Sequence, residues 1–273
     1  MNRIFVVNKP IFISSNNYLR EIKKKYKVKK AGFSGTLDPF AKGCLIIAFG
    51  QYTKLFQFLK KTPKTYKATI LLGAESETLD IEKISSVNIP NKFEYKKVKN
   101  IVESFKGKQI QIPPKYSAKK IDGIRAYDLA RKGENIEMKT IEIEIFDIKI
   151  TNYSHPFLSF EVSVSEGTYV RSLGFDIAKK LGVNGALTYL ERVNEGEFYF
   201  DNEKPLNPLN YLDLEKNFYL GDIKNLELGR KLDIQEFKNR EDGKYLITYN
   251  NFFAIIEIKN NKVSYLLNRI KLC

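Results

Sequence analysis

Histidine and cysteine are nearly missing from this chain. Its 273 residues hold one histidine, His155, and two cysteines, Cys44 and Cys273. Two thiols build no disulfide framework and fall short of a structural zinc site. A single histidine rules out a His-rich metal centre and leaves only His155 for any Ser-His-Asp chemistry. That residue stands in NYSHPF beside a proline, where a plain loop role is expected. Neither GxxxxGK[ST] nor GxGxxG occurs, so the usual sequence signs of a nucleotide-phosphate cradle are absent. No apolar run approaches the roughly 20 residues that span a bilayer. The opening MNRIFVVNKP has a short apolar stretch cut off by Lys9 and Pro10, unlike a signal peptide. A cytoplasmic protein with no metal, no cofactor and no membrane association is expected.

Acidic residues are in deficit too. Lys and Arg number 46 against 32 Asp and Glu, a net charge of +14. Such a balance favours a polyanionic partner, although a compositional bias towards Lys, Asn and Ile would raise it as well. The lysines are not spread evenly. Ser14 to Asn17 (SSNN) reads as a helix start, with Leu19, Ile22 and Tyr26 on one face. The other face and the exit carry Arg20, Lys23, Lys24, Lys25, Lys27, Lys29 and Lys30. A run of this kind is usually a solvated face; here it leads straight into AGFSGTLDPFAKG (31–43), read as a loop.

The remaining periodicity predicts strands at 4–7, 44–49 and 66–72, and long alternating strands at about 141–150 and in FLSFEVSV. Helices are expected at 94–105, at 126–131 closed by Gly133, after Gly167-Thr168, and briefly around Leu55, Phe56 and Leu59. The mixture indicates an α+β fold, a mixed, mostly antiparallel sheet core with flanking helices. From about residue 205 the chain turns loop-rich, and YLITY, FFAIIEI and VSYLL read as short strands. The expected division is a domain over 1–222 and a small β-rich module over 223–273.

Three stretches could carry chemistry. In AGFSGTLDPFAKG, glycines 32, 35 and 43 frame one carboxylate, Asp38, which the following proline keeps extended. In EGTYVRSLGFD, Tyr169 and Arg171 fall at the start of a helix, and an arginine fork is the natural bidentate partner of a carboxylate that must stay ionised. In KTPKTYKATILLG, Tyr66 lies between Lys64 and Lys67, a pattern suited to base stacking with phosphate contacts. Each has a plain alternative: a turn-capping Asp, a surface Arg, a strand-end Tyr.

Together they resemble the pseudouridine synthases of the TruB type. The resemblance rests on NKPIFISSN (8–16), AGFSGTLDPFAKGCLIIAFG (31–50), KTYKATILLG (64–73) and EGTYVRSLGFDIAKKLG (166–182), with QIPPKYSAKKIDGIRAYDLARKG (111–133) as a fifth block. It covers about residues 1–195. It implies isomerisation of uridine to pseudouridine at position 55 in the T-loop of tRNA, on a flipped-out nucleotide. Asp38 would be the catalytic nucleophile, acting at C1′ or through a route that begins with base elimination. Tyr66 would pack on the target base, Arg171 would pair with Asp38, and Tyr169 and Leu190 would line the uracil pocket. Lys9 and Lys64 would belong to the substrate site, Lys9 with Pro10 in the motif that supports the active-site loop. Phe33 stands where the family usually has a histidine, which would keep stacking and lose hydrogen bonds. The resemblance also implies tRNA as partner, a monomer working without a guide RNA, and a PUA-like RNA-binding fold for the C-terminal module.

Overall fold

Strand β1 (Arg3–Lys9) turns Ile4 and Val6 to one side and Phe5 and Val7 to the other, and all four are buried. A strand apolar on both faces must lie between two layers. The computed structural model, which describes residues 1–134 and 136–272, places it there. On one side lies helix α1 (Ser15–Lys25), begun by Ser14, whose hydroxyl accepts from the Asn17 N–H. Ile22 of α1 packs with Phe5, Val7, Leu45, Ile47 and Phe49. Its last turn is Lys23, Lys24 and Lys25, which suits the negative end of the helix dipole.

After α1 come β2 (Ala31–Ser34), β3 (Lys42–Phe49) and β4 (Lys64–Leu72), then a small ribbon of β5 (Ala74–Ser76) and β6 (Ile84–Val87). Helix α2 (Tyr95–Glu103) and strand β7 (Gly107–Gln111) follow. A two-residue ribbon, β8 (Lys120–Ile121) with β9 (Ile124–Arg125), leads into α3 (Ala126–Arg131). The long hairpin is β10 (Ile141–Ser154) and β11 (Phe157–Val164); α4 (Val170–Lys180), β12 (Gly185–Glu195) and β13 (Phe198–Tyr199) complete this part. The main sheet runs β1-β3-β12-β4-β11-β10-β7, with β2 added on β3 and β13 on β12. Its pairings are antiparallel except β12 with β3. The fold is α+β with a mixed, mostly antiparallel sheet, as expected. Helices α2 and α4 cover the β4, β11 and β10 face, where Val98, Val102, Leu173 and Ile177 pack on Ile70, Leu72 and Phe160. No helix among the described residues is long and apolar enough to cross a membrane.

Three local readings change. Residues 31–34 are a strand, paired with β3 from Ala31–Phe49 to Ser34–Ile46, so the loop proper is 35–41. The segment around Leu55 forms two short 3-10 turns (Gly50–Lys54 and Phe56–Phe58). Strand β12, which no sequence pattern announced, is central. Its pairing with β4 shifts register after Leu187 and again after Arg192, and these bulges erase the period of two by which strands are read.

A second sheet, β14 (Glu215–Lys216), β15 (Gly243–Tyr249), β16 (Phe252–Lys259) and β17 (Lys262–Lys271), follows, with α5 (Ile223–Leu228) beside it. Its first strand precedes residue 223 and pairs with Tyr245 and Leu246. Leu246, Phe253, Ile255 and Ile270 share one apolar cluster with Ile4, Val6, Ile46 and Ala48. The second sheet therefore covers the face of β1 and β3 opposite α1.

Candidate active site

Strand β3 pairs with β1 along one edge and with two strands along the other: β2 at its far end and β12 at Lys42 and Gly43. The loop 35–41 leaves the sheet where β2 and β12 meet that edge. Gly43, with φ 110, lets the strands approach there; a Cβ would stand 2.3 Å from the Arg192 carbonyl. Asp38 is on this loop and Leu37 is buried beneath it. The Leu37 N–H donates to the Ser15 hydroxyl and its carbonyl accepts from it, both at 2.9 Å, which ties the loop to the start of α1.

Opposite Asp38, α4 begins. Gln111 fixes the entry: its Oε1 accepts the Tyr169 N–H at 2.8 Å and its Nε2 donates to the Tyr169 carbonyl at 3.1 Å. Arg171, the second residue of α4, is 4% exposed and spends its whole donor set. Nε meets Asp38 Oδ2 at 2.9 Å and Nη2 meets Asp38 Oδ1 at 3.0 Å, a bidentate pair. Nη2 also donates to the Tyr116 carbonyl, and Nη1 donates to the Thr78 carbonyl and to Asp80 Oδ2. The guanidinium is locked from behind by backbone and by a second acid. Burial pushes the Asp80 carboxyl up, and the Thr78 hydroxyl and Arg171 pull against that rise.

Above the pair opens a cavity of about 320 Å³ lined by Asp38, Arg171, Tyr66, Tyr169, Leu190 and Lys64. Six of the eight residues singled out from sequence therefore meet in one place. Tyr66 and Leu190 lie on the neighbouring strands β4 and β12, two pairs from each other in register, and are 8% and 5% exposed. Burial raises the Tyr169 hydroxyl above its usual range. Tyr66, Tyr169 and Leu190 share the walls with Lys64, Lys119 and Arg192, and the floor is an ion pair. Asp38 keeps 32% of its side chain exposed, so a ligand entering the cavity reaches its carboxylate.

The other two residues stand apart. Phe33, on β2, packs against the α1 side of the sheet and lines a neighbouring cavity of about 460 Å³, which Asp38 and Arg171 also border with Arg125 and Arg131. Lys9 is fully buried at the end of β1. Its ammonium donates to the carbonyls of Pro10, Ile13 and Pro39, the last at 3.4 Å, so it holds the loop from below. Burial lowers its pKa to about 8, against the opposing pull of Asp38.

A second buried charge cluster borders the cavity, and of its members only Lys64 stood out in the sequence. Arg192 Nε donates to the Cys44 carbonyl at 2.8 Å and Nη2 to the Gly35 carbonyl at 2.9 Å. Nη2 pairs with Glu195 at 3.3 Å, and Glu195 pairs with Lys64 at 3.4 Å. Asp80 was missed for a similar reason: nothing in the spacing of 80 and 171 links them. His155 lies at the far end of the β10–β11 hairpin, its Nε2 against the Pro90 carbonyl, as a loop residue. The Cys44 thiol is pushed up to about 12 by burial, which leaves it unreactive. Cys273 lies outside the described residues. No cluster of three metal-ligating side chains occurs among the described residues.

Residues 23–170 match the family described as TruB family pseudouridylate synthase (N terminal domain). A protein of Sulfurovum sp. (strain NBC37-1) named tRNA pseudouridine synthase B is 54% identical over 270 residues, which is 99% of this chain and 98% of that one. A protein of the same name from Campylobacter jejuni (strain RM1221) is 50% identical over 273 residues, the full length of both. Among solved structures, a chain of a Cbf5-Nop10-Gar1 complex superposes with a TM-score of 0.69 at 18% identity, covering 99% of this chain and 84% of its own.

Proposed function

This chain belongs to the TruB family of pseudouridylate synthases, and from that membership we propose that it converts uridine 55 in the T-loop of tRNA to pseudouridine, with Asp38 as nucleophile. The observation that carries the reading is the bidentate Asp38–Arg171 pair at the floor of a base-sized cavity walled in part by Tyr66, Tyr169 and Leu190. The target base is stacked in the folded loop, so it must be extruded to reach that floor, at a cost of a few kcal/mol. Tyr66, Tyr169 and Leu190 offer the apolar walls that receive it.

Asp38 then acts on the ribose. The N1–C1′ bond breaks, the uracil turns in place, and C5 bonds to C1′. The C5 proton leaves and N1 gains one, so the product is an isomer and nothing is oxidised or reduced. Splitting the exchange through a carboxylate replaces one hard step by easier ones. Arg171 supports this by fixing both carboxylate oxygens in one plane, and its other donors are tied to Thr78, Asp80 and Tyr116, so the fork is set before substrate arrives. The exposed lysines of α1 and its exit supply phosphate contacts. The enzyme works as a monomer with tRNA as its partner and without a guide RNA. Residues 1–222 form the catalytic domain, and 223–273 belong to a PUA-like RNA-binding module.

Tritium at C5 of uridine reports the reaction directly. Wild-type protein incubated with C5-tritiated tRNA transcript and no added cofactor should release one tritium per tRNA. A transcript whose T-loop uridine is replaced by cytidine should release none. Release from that control would contradict the site assignment.

A further inference from the structure

The turn 10–13 joins β1 to α1 and carries an aromatic ring where the backbone favours glycine. Phe12 has φ 60, the left-handed region that a bulky residue enters only when its surroundings hold it there. It is the only aromatic residue with positive φ among the described residues. Its side chain is nevertheless 69% exposed, so the strain buries nothing. What holds the turn is unusual. The fully buried Lys9 ammonium donates to the carbonyls of Pro10 and Ile13, on either side of the strained position, at 2.8 and 2.7 Å. The same ammonium reaches the carbonyl of Pro39, the neighbour of Asp38. Ser14 caps α1 directly after the turn, and Ser15 exchanges hydrogen bonds with the backbone of Leu37. The turn and the loop carrying Asp38 are therefore bolted together.

A second bulky residue in this region of backbone space shows what such strain can serve. Leu79, with φ 61, sits between Thr78 and Asp80, whose carbonyl and carboxylate both receive N–H groups of Arg171. At Phe12 the same conformation holds a ring out to solvent, just ahead of a helix whose exposed face carries Arg20 and Lys24. An aromatic ring followed by cations suits an unstacked base with phosphates beside it.

We propose that Phe12 is a stacking platform for a base of the bound RNA next to the extruded nucleotide, set in register with Asp38 by Lys9 and Ser15. The proposal rests on the tRNA reading above. It makes Phe12 a binding residue, with no part in the chemical step.

The chain contains no tryptophan, so Phe12→Trp places a single indole in the turn. A T-stem-loop RNA should quench its fluorescence, and a plain RNA duplex of equal charge should not. Phe12→Gly removes the ring and the strain together. Its melting temperature should hold or rise, while its Kd for the stem-loop should weaken on the order of tenfold. Wild-type affinity in Phe12→Gly, an unquenched indole, or a melting temperature lowered by several degrees would each overturn the proposal. Failure of the underlying reading looks different: wild type would bind the stem-loop and form no pseudouridine, whatever Phe12→Gly does to affinity.

Discussion

At the scale of single residues, the site is governed by how Arg171 distributes its donors. Replacing it with Lys keeps the charge but cannot hold two carboxylate oxygens, two carbonyls and Asp80 at once. Arg171→Lys should therefore lower single-turnover product formation by on the order of 100-fold, about 3 kcal/mol, and leave tRNA affinity within a fewfold. Rapid-quench assays beside filter binding separate the two effects. A different residue contributes to the pH dependence of stability. Burial pushes the carboxyl of half-buried Asp176, on α4, up to about 6. Between about pH 4 and pH 6 the folded chain keeps a proton that the unfolded chain has released, so stability falls as pH rises through that window. Asp176→Asn should remove this slope and raise stability at pH 7.5 by about 2 kcal/mol, allowing for partial solvent access. Urea unfolding at pH 4.5 and 7.5 measures both. Asp38, Tyr66 and Arg171 were legible in the sequence because each stands in a distinctive local block. Asp80 and Arg192 were not, because their importance lies in partners 91 and 157 positions away.

At the scale of elements, β12 matters most and was read least. Helix α1 was legible from SSNN and its apolar face, and β10 and β11 from plain alternation. Strand β12 instead carries two bulges and turns a full-length Arg and a Glu inward. Those charges bind the strand to the loop of Asp38: Arg192 holds the Gly35 carbonyl, and Glu195 balances Arg192 and Lys64. Removing one member of such a buried group costs about 3–5 kcal/mol, because the others stay behind unpaired. Glu195→Leu should lower the urea midpoint accordingly, and a midpoint unchanged from wild type would show that the cluster carries no such weight. The segment 31–34, read as loop, is a short strand because β3 offers β2 a free edge that a local pattern does not reveal.

For the whole molecule, one apolar cluster spans both sheets, joining Ile4, Val6 and Ile46 to Leu246, Phe253 and Ile255. Losing that contact would expose the face of β1 and β3, the strands from which the Asp38 loop is hung. The two sheets should therefore unfold in a single calorimetric transition, and two resolved transitions would refute their coupling. Charge acts at this scale as well. With a net charge of +14, tRNA affinity should fall steeply with salt, with a slope near −0.9 for each phosphate neutralised on duplex RNA by analogy with DNA. Changing Lys24 and Lys27 to Glu together should flatten that slope by about 2 if both meet phosphates, as titrations between 50 and 200 mM salt would read.

If Asp38 acts on an extruded uridine, one comparison reveals it. Unmodified tRNA transcript is incubated with wild type and with Asp38→Asn, and pseudouridine is mapped at single-nucleotide resolution. Pseudouridine at the T-loop uridine with wild type, none with Asp38→Asn, and equal tRNA binding by both is the predicted result. Pseudouridine formed at that uridine by Asp38→Asn at the wild-type rate would rule Asp38 out as the nucleophile.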